Sequence, residues 1–138
     1  MKKKLLFLCT GNSCRSQIAE GFGKTYLTKY NISSAGTKAY GINPNAIKTM
    51  NDIGIDISNQ VSKIINLSEL NKFDLIITLC GDAKDSCLNI NTLVEEHIHW
   101  DIIDPAKYRG VKENKKKIFR DVRYVIKSNI KDLKKNNF

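Results

Sequence analysis

No apolar run in this chain approaches the roughly 20 residues needed to span a membrane. The lysine-led start has neither a secretory h-region nor a small-residue cleavage site, so the expected location is the cytoplasm, away from membranes. Internal repeats, low-complexity segments and linkers are lacking too. The 138 residues, enough to bury a core without staples, are read as one domain over 1–138. Acidic residues are scarce: 14 Asp and Glu stand against 23 Lys and Arg, for a formal net charge of +9. Even so, arginines and aromatics are not interleaved and no nucleic-acid motif is present, which argues against a nucleic-acid partner. The excess sits in residues 2–4 and from residue 112 onward, as a solvated lysine-rich surface with a mild pull on anions. The cysteines lack the paired Cys-x2-Cys spacing of zinc ribbons, which disfavours a metal-binding module built on them with His97 and His99. In a reducing cytoplasm four such thiols read as chemical groups rather than as a disulfide framework.

What is present is concentrated near the start. Lys4-Leu5-Leu6-Phe7-Leu8-Cys9 is a short continuous apolar run without helical periodicity, which suits a strand buried on both faces. Thr10-Gly11-Asn12-Ser13-Cys14-Arg15-Ser16 follows, small and polar, and leads into helical spacing at Ile18, Ala19, Phe22, Tyr26 and Leu27. A strand, a tight loop and a helix N-terminus together make an anion cradle, because backbone N–H groups and about half a positive charge meet there.

The spacing predicts a helix over 16–30 and a second strand over 32–35, ending at Gly36. That βαβ unit requires the two strands to be parallel. Asn43 and Pro44 read as the N-cap and first position of the next helix, with Ala46, Ile47, Met50 and Ile53 inward and Gly54 as its stop. Residues 55–70 are irregular, 73–79 form a third buried strand, and 81–91 read as a polar loop or loose helical turn. A last strand is expected over 97–100. Ile118, Phe119, Val122, Val125, Ile126, Ile130 and Leu133 make one stripe of a long closing helix. The architecture expected is α/β: a single-domain, three-layer fold with a four-stranded, mainly parallel sheet flanked by helices. Ligands of such sheets sit at the C-terminal strand ends, where Cys9, Cys80 and Asp104 all fall.

Within the loop, Cys9 is the candidate nucleophile and Arg15 the bidentate oxyanion clamp. Helix N-termini and nearby cations lower a thiol from about 8.5 to roughly 3.5–7.5, and the Ser16 hydroxyl can donate to the Cys9 sulfur. Five intervening residues let the chain curl round one tetrahedral anion and return Arg15 over its oxygens. Asn12 suits a loop organiser, since its side chain bonds backbone groups and it tolerates left-handed geometry. Cys14 is read as packing beneath the loop. Asp104, before Pro105, is the candidate general acid for a leaving oxygen.

This much fits a phosphatase, which needs one thiol and then water. Cys80 closes the third strand and Cys87 follows seven residues later. A thiolate attacks a sulfur bearing a good leaving group, and the disulfide formed passes to another thiol, so three thiols in series can remove two electrons from the protein.

With these residues in place, the sequence resembles the thioredoxin-coupled arsenate reductases, which share the phosphotyrosine protein phosphatase I-like fold of low-molecular-weight protein tyrosine phosphatases. The resemblance runs along nearly the whole chain: Cys9 to Ser16, Ala19-Glu20-Gly21, Ser34-Ala35-Gly36, Gly41-Ile42-Asn43-Pro44, Ile55-Asp56-Ile57-Ser58, Thr78-Leu79-Cys80, Cys87, His99-Trp100 and Asp104-Pro105. The phosphatase branch is less similar, lacking the Cys80/Cys87 pair and usually carrying tyrosine where Ala106 stands.

The resemblance implies that arsenate binds under Arg15 and that Cys9 attacks arsenic while Asp104 protonates the departing hydroxyl. It implies next that Cys80 attacks Cys9, releasing arsenite, and that Cys87 then takes over the disulfide for thioredoxin to reduce. No cofactor is implied, and a monomer is expected. The resemblance also implies a potassium site through Asn12, Glu20, Ser34 and a carboxylate whose position Lys63 occupies. Lys63 is therefore expected to pair with Glu20 in place of the metal. The alternative is a phosphomonoesterase of the tyrosine phosphatase type, using Cys9, Arg15 and Asp104 alone.

Overall fold

The computed structural model describes residues 2–79 and 96–136. Among the described residues four strands, β1 (Lys3–Cys9), β2 (Tyr30–Gly36), β3 (Leu75–Thr78) and β4 (His97–His99), form one sheet in the order β2-β1-β3-β4. Every pairing is parallel: Lys3 faces Tyr30, Leu5 faces Leu75 and Ile76 faces His97. The helices among the described residues are α1 (Arg15–Tyr26), α2 (Pro44–Asn51) and α3 (Lys112–Lys135), and 3₁₀ turns lie at Leu67–Lys72 and Pro105–Lys107.

β1 is central and buried on both faces, as its unbroken apolar run requires. Leu5 and Phe7 enter a core with Ile18, Phe22, Met50, Phe119, Ile126 and Ile130, whereas Leu6 and Leu8 enter a second core with Ala35, Leu70 and Ile76. Each of these four β1 side chains is fully buried, contributing about 1.5–3 kcal/mol of transfer free energy. The three α-helices cover the Leu5/Phe7 face, and among the described residues the opposite face is closed by Ile65, Leu70 and Phe73 around a 3₁₀ turn. No helix among the described residues is long and apolar enough to cross a membrane.

Several expected boundaries move. α1 begins at Arg15 and ends at Tyr26, because Leu27 leaves the helical region and Tyr30 is already paired with Lys3 in β2. In α2 the Asn43 side chain accepts from the Asn45 N–H at 2.8 Å with Pro44 following, as expected. Ile53, however, lies past the helix and is exposed, and Thr49 takes the inner face. On α3 Val125 is 48% exposed and Arg123 is buried instead, its Nη1 donating to the Thr49 carbonyl at 2.6 Å. The apolar stripe is thus completed by a cation that crosses to α2.

Candidate active site

The loop joining β1 to α1 is held from outside by its carbonyls. Thr10 O accepts from Lys38 N–H (2.8 Å), Gly11 O from Tyr40 N–H (3.0 Å) and Ser13 O from Asn43 N–H (3.0 Å). A trans peptide sets each C=O opposite the next N–H, so these three bonds leave the N–H groups of Gly11, Asn12 and Cys14 on the side of the chain away from the segment after β2. The end of β2 must pass very close for this to work. A Cβ at Gly36 would lie 2.6 Å from Thr10 O and 2.7 Å from Asn12 N, so only glycine fits.

Asn12 organises the loop from within. It is fully buried at φ 46°, a left-handed geometry that asparagine tolerates. Its Oδ1 accepts from the Lys63 N–H (2.8 Å), and its Nδ2 donates to Ser16 Oγ (2.8 Å) and Ser34 Oγ (3.0 Å). Ser16 Oγ, which accepts from Asn12, also lies 2.8 Å from Cys9 Sγ, a hydrogen bond in which the hydroxyl can donate to the sulfur. Cys9 is therefore a buried thiol beside a helix N-terminus, hydrogen-bonded to the Ser16 hydroxyl.

Arg15 is anchored rather than loose. Its Nη1 donates to Leu79 O (3.1 Å) and Ile102 O (2.9 Å), the chain segments that follow β3 and β4, while Nη2 lies 3.7 Å from Asp104 Oδ2. The other oxygen, Asp104 Oδ1, accepts from the Ala106 N–H at 3.0 Å and so caps the 3₁₀ turn. Cys9, Thr10, Gly11, Ser13, Cys14, Arg15 and Asp104 line one cleft of about 330 Å3. Asn12 and Ser16 are buried beneath it. The Cys14 thiol is pushed up to about 12, chiefly by burial and next by the charge of Asp104, so it stays protonated at neutral pH. A thiol, a guanidinium and a carboxyl group thus share one cleft, an arrangement suited to attack on a tetrahedral oxyanion.

A family model described as low molecular weight phosphotyrosine protein phosphatase matches residues 4–137. The chain belongs to that family. Among its curated relatives are an arsenate reductase of Shouchella clausii (strain KSM-K16), 52% identical with 94% of each chain covered, and one of Bacillus subtilis (strain 168), 49% identical with 96% of each covered. Similar solved structures include an arsenate reductase in the phosphate binding state, with TM-score 0.79, 33% identity and 97% and 98% of the two chains covered. An Erwinia amylovora tyrosine phosphatase also superposes, with TM-score 0.79, 25% identity and 95% and 90% covered.

In this phosphatase-family chain the expected pairing of Lys63 with Glu20 is not what the structure contains. Glu20 Oε2 pairs with Lys24 at 2.6 Å and Oε1 accepts from Ser34 Oγ at 2.5 Å, while Lys63 joins the network through its backbone N–H. The i,i+4 spacing on α1 puts Lys24 beside Glu20 directly. The one carboxylate of the set is already neutralised by an ammonium, and Asn12 Oδ1 is already bonded. These residues do not fit an added potassium ion.

His97 and His99 both contact Thr78 Oγ1, at 3.1 and 2.6 Å, across the β3–β4 edge. Cys80 and Cys87 lie outside the described residues. Three cleft residues escaped the sequence reading: Tyr40, Lys107 and Arg109. Lys107 and Arg109 carried a signal in their closeness to Asp104, whereas Tyr40 is brought to the cleft by its N–H bond to Gly11 O and its ring against Gly11, neither of which is local in sequence.

Proposed function

We propose that this chain is an arsenate reductase that works through a three-cysteine disulfide relay, as a monomer in the cytoplasm, with thioredoxin as its reductant. The observation that carries the reading is the convergence of Cys9, Arg15 and Asp104 in one cleft. The arsenate reductase relatives, matched over nearly their full length, support the choice of substrate.

Arsenate binds against the inward loop amides and the Arg15 guanidinium. The Cys9 thiolate, stabilised by the Ser16 hydroxyl, attacks arsenic. Asp104 delivers a proton from Oδ2 to the departing hydroxyl, since Oδ1 is held by Ala106. Cys80 then attacks the Cys9 sulfur, the electron pair of the S–As bond leaves with arsenic as arsenite, and a Cys9–Cys80 disulfide forms. Cys87 attacks the Cys80 sulfur and releases the Cys9 thiolate. The Cys80–Cys87 disulfide takes two electrons from the thioredoxin dithiol, which closes the cycle. Arg15 also bonds the carbonyl of Leu79, the residue before Cys80, so the anion clamp is tied to the chain bearing the second thiol. No step is routed through a metal.

The test is arsenate-dependent NADPH oxidation coupled to thioredoxin and thioredoxin reductase, with aryl phosphate hydrolysis measured in parallel. Cys80→Ser and Cys87→Ser should each abolish arsenate turnover and leave any aryl phosphate hydrolysis intact. Arsenate turnover retained in either variant would sink the relay. Hydrolysis without any arsenate turnover in the wild type would favour the phosphomonoesterase alternative.

A further inference from the structure

Most carbonyls of the Cys9 loop are met by backbone N–H groups. Cys9 O accepts from Thr37 (3.3 Å), Cys14 O from Ile18 (2.9 Å), and the Thr10, Gly11 and Ser13 carbonyls from the segment after β2. The Asn12 carbonyl is met by a side chain instead: Gln17 Nε2 donates to it at 3.1 Å. Gln17 lies in the first turn of α1 and is fully buried. The same nitrogen also donates to Val61 O at 3.2 Å, and Gln17 Oε1 accepts from Gln60 Nε2 at 2.8 Å.

The neighbours of this amide fix its orientation. Two carbonyl oxygens can only accept, so they require the nitrogen, and the Gln60 N–H then requires the oxygen. Gln60 Nε2 also donates to the Gln17 carbonyl at 3.0 Å, so it is itself tied to the start of α1. Further along the same segment, the Lys63 N–H donates to Asn12 Oδ1 at 2.8 Å. Asn12 is thus gripped at its backbone carbonyl by Gln17 and at its side chain by Lys63. The Asn12 C=O and the Ser13 N–H share one trans peptide and point to opposite sides of the chain. Ser13 lines the cleft, and a carbonyl held by the buried Gln17 leaves the Ser13 N–H on the side away from Gln17.

We propose that Gln17, oriented by Gln60, is a positioning residue for oxyanion binding: it fixes the Asn12–Ser13 peptide so that the Ser13 N–H can donate to the bound anion. The inference rests on reading the Cys9 loop as an oxyanion site. Gln17 lies outside the cleft lining and acts through Asn12. A donor held in place before the anion arrives needs no reorganisation when it binds. Without Gln17 the peptide can rotate, and a carbonyl turned toward the anion repels it. The Cys9 sulfur has a different contact, the Ser16 hydroxyl, so anion affinity should fall while the pH dependence of the free thiol stays.

The probe is inorganic phosphate, read as the concentration that half-protects Cys9 from iodoacetamide, with the Cys9 peptide followed by mass spectrometry. Gln17→Met, close in shape but unable to donate, should raise that concentration about tenfold, the loss expected for one hydrogen bond to a charged group. The pH midpoint of Cys9 alkylation without phosphate should stay as in the wild type. Gln60→Leu, which frees the Gln17 amide to turn, should raise the half-protecting concentration about threefold. Arg123→Ala weakens the contact between α2 and α3 and should leave it unchanged, which separates positioning from loss of stability. Unchanged protection in Gln17→Met, a shifted alkylation midpoint alongside weaker protection, or an equal loss in Arg123→Ala would overturn the proposal. If Gln17→Met does not fold, Gln60→Leu decides in its place, and unchanged protection there overturns the proposal as well. The expected loss in a protein that turns over no arsenate would remove the reductase reading and leave the role of Gln17 standing. Wild-type Cys9 that phosphate never protects would remove both.

Discussion

Replacing Asn12 by alanine should unlock the loop that presents Cys9. The substitution removes the acceptor of the Lys63 N–H and the donor to both Ser16 and Ser34, three bonds of 2.8 to 3.0 Å around a fully buried side chain. Leaving one buried group unsatisfied costs about 1–3 kcal/mol. Placing alanine at φ 46° adds about 1–2 kcal/mol of left-handed strain that asparagine largely escapes. The sum, about 2–5 kcal/mol, is a large share of the 5–15 kcal/mol typical of a domain. With a urea slope of about 2 kcal/mol per molar, the midpoint should fall by about 1–2.5 M, followed through the fluorescence of Trp100. Asn12→Gly separates the two causes: it relieves the strain but not the lost bonds, so it should recover only about 1 kcal/mol. In both variants Ser16 is no longer oriented, and the alkylation rate of Cys9 at fixed pH should change with the stability. An Asn12→Ala midpoint within about 0.5 M of wild type would refute the reasoning.

Two further outcomes follow from other parts of the core. The Cys14 thiol, pushed up to about 12 from 9.0 by burial and the charge of Asp104, stays protonated in the fold after the unfolded thiol has ionised. Its stabilising contribution is complete below about pH 9 and is lost as pH rises toward 12, at about 1.4 kcal/mol per pH unit. Cys14→Ala should therefore flatten stability against pH between about 9 and 10.5 in urea titrations, and an unchanged slope would contradict the assignment. Arg123→Ala should destabilise the protein by about 2–3 kcal/mol, because the Thr49 carbonyl and hydroxyl lose a charged donor where α3 meets α2. An effect below about 0.5 kcal/mol, the size typical of surface changes, would show that this contact is dispensable.

Local rules decided most of the chain. An unbroken apolar run made β1 a doubly buried strand, the βαβ spacing made β1 and β2 parallel, and Asn43-Pro44 started α2, because each depends on neighbours within a turn or a pleat. The same locality explains the misses. The α1 boundary was overrun because register with Lys3 claimed Tyr30 for the sheet, and Val125 and Arg123 exchanged places on α3 because α2, far off in sequence, supplied a carbonyl.

The site divides along the same line. That Cys9, Asn12, Arg15, Ser16 and Asp104 gather around one loop and cleft was legible, since residue type and spacing mark a thiol, a cation and a carboxyl group at strand ends. Residue type alone could not show that Arg15 is anchored by Leu79 and Ile102, that Lys24 and not Lys63 neutralises Glu20, or that Tyr40, Lys107 and Arg109 wall the same cleft. Those relations join segments up to 87 residues apart, and only the stacking of strand ends brings them within a hydrogen bond of one another. Residue type and spacing fixed which reactive groups the loop carries; the tertiary fold selected the groups that hold them, because hydrogen bonds and charge act over ångströms in space and not along the chain.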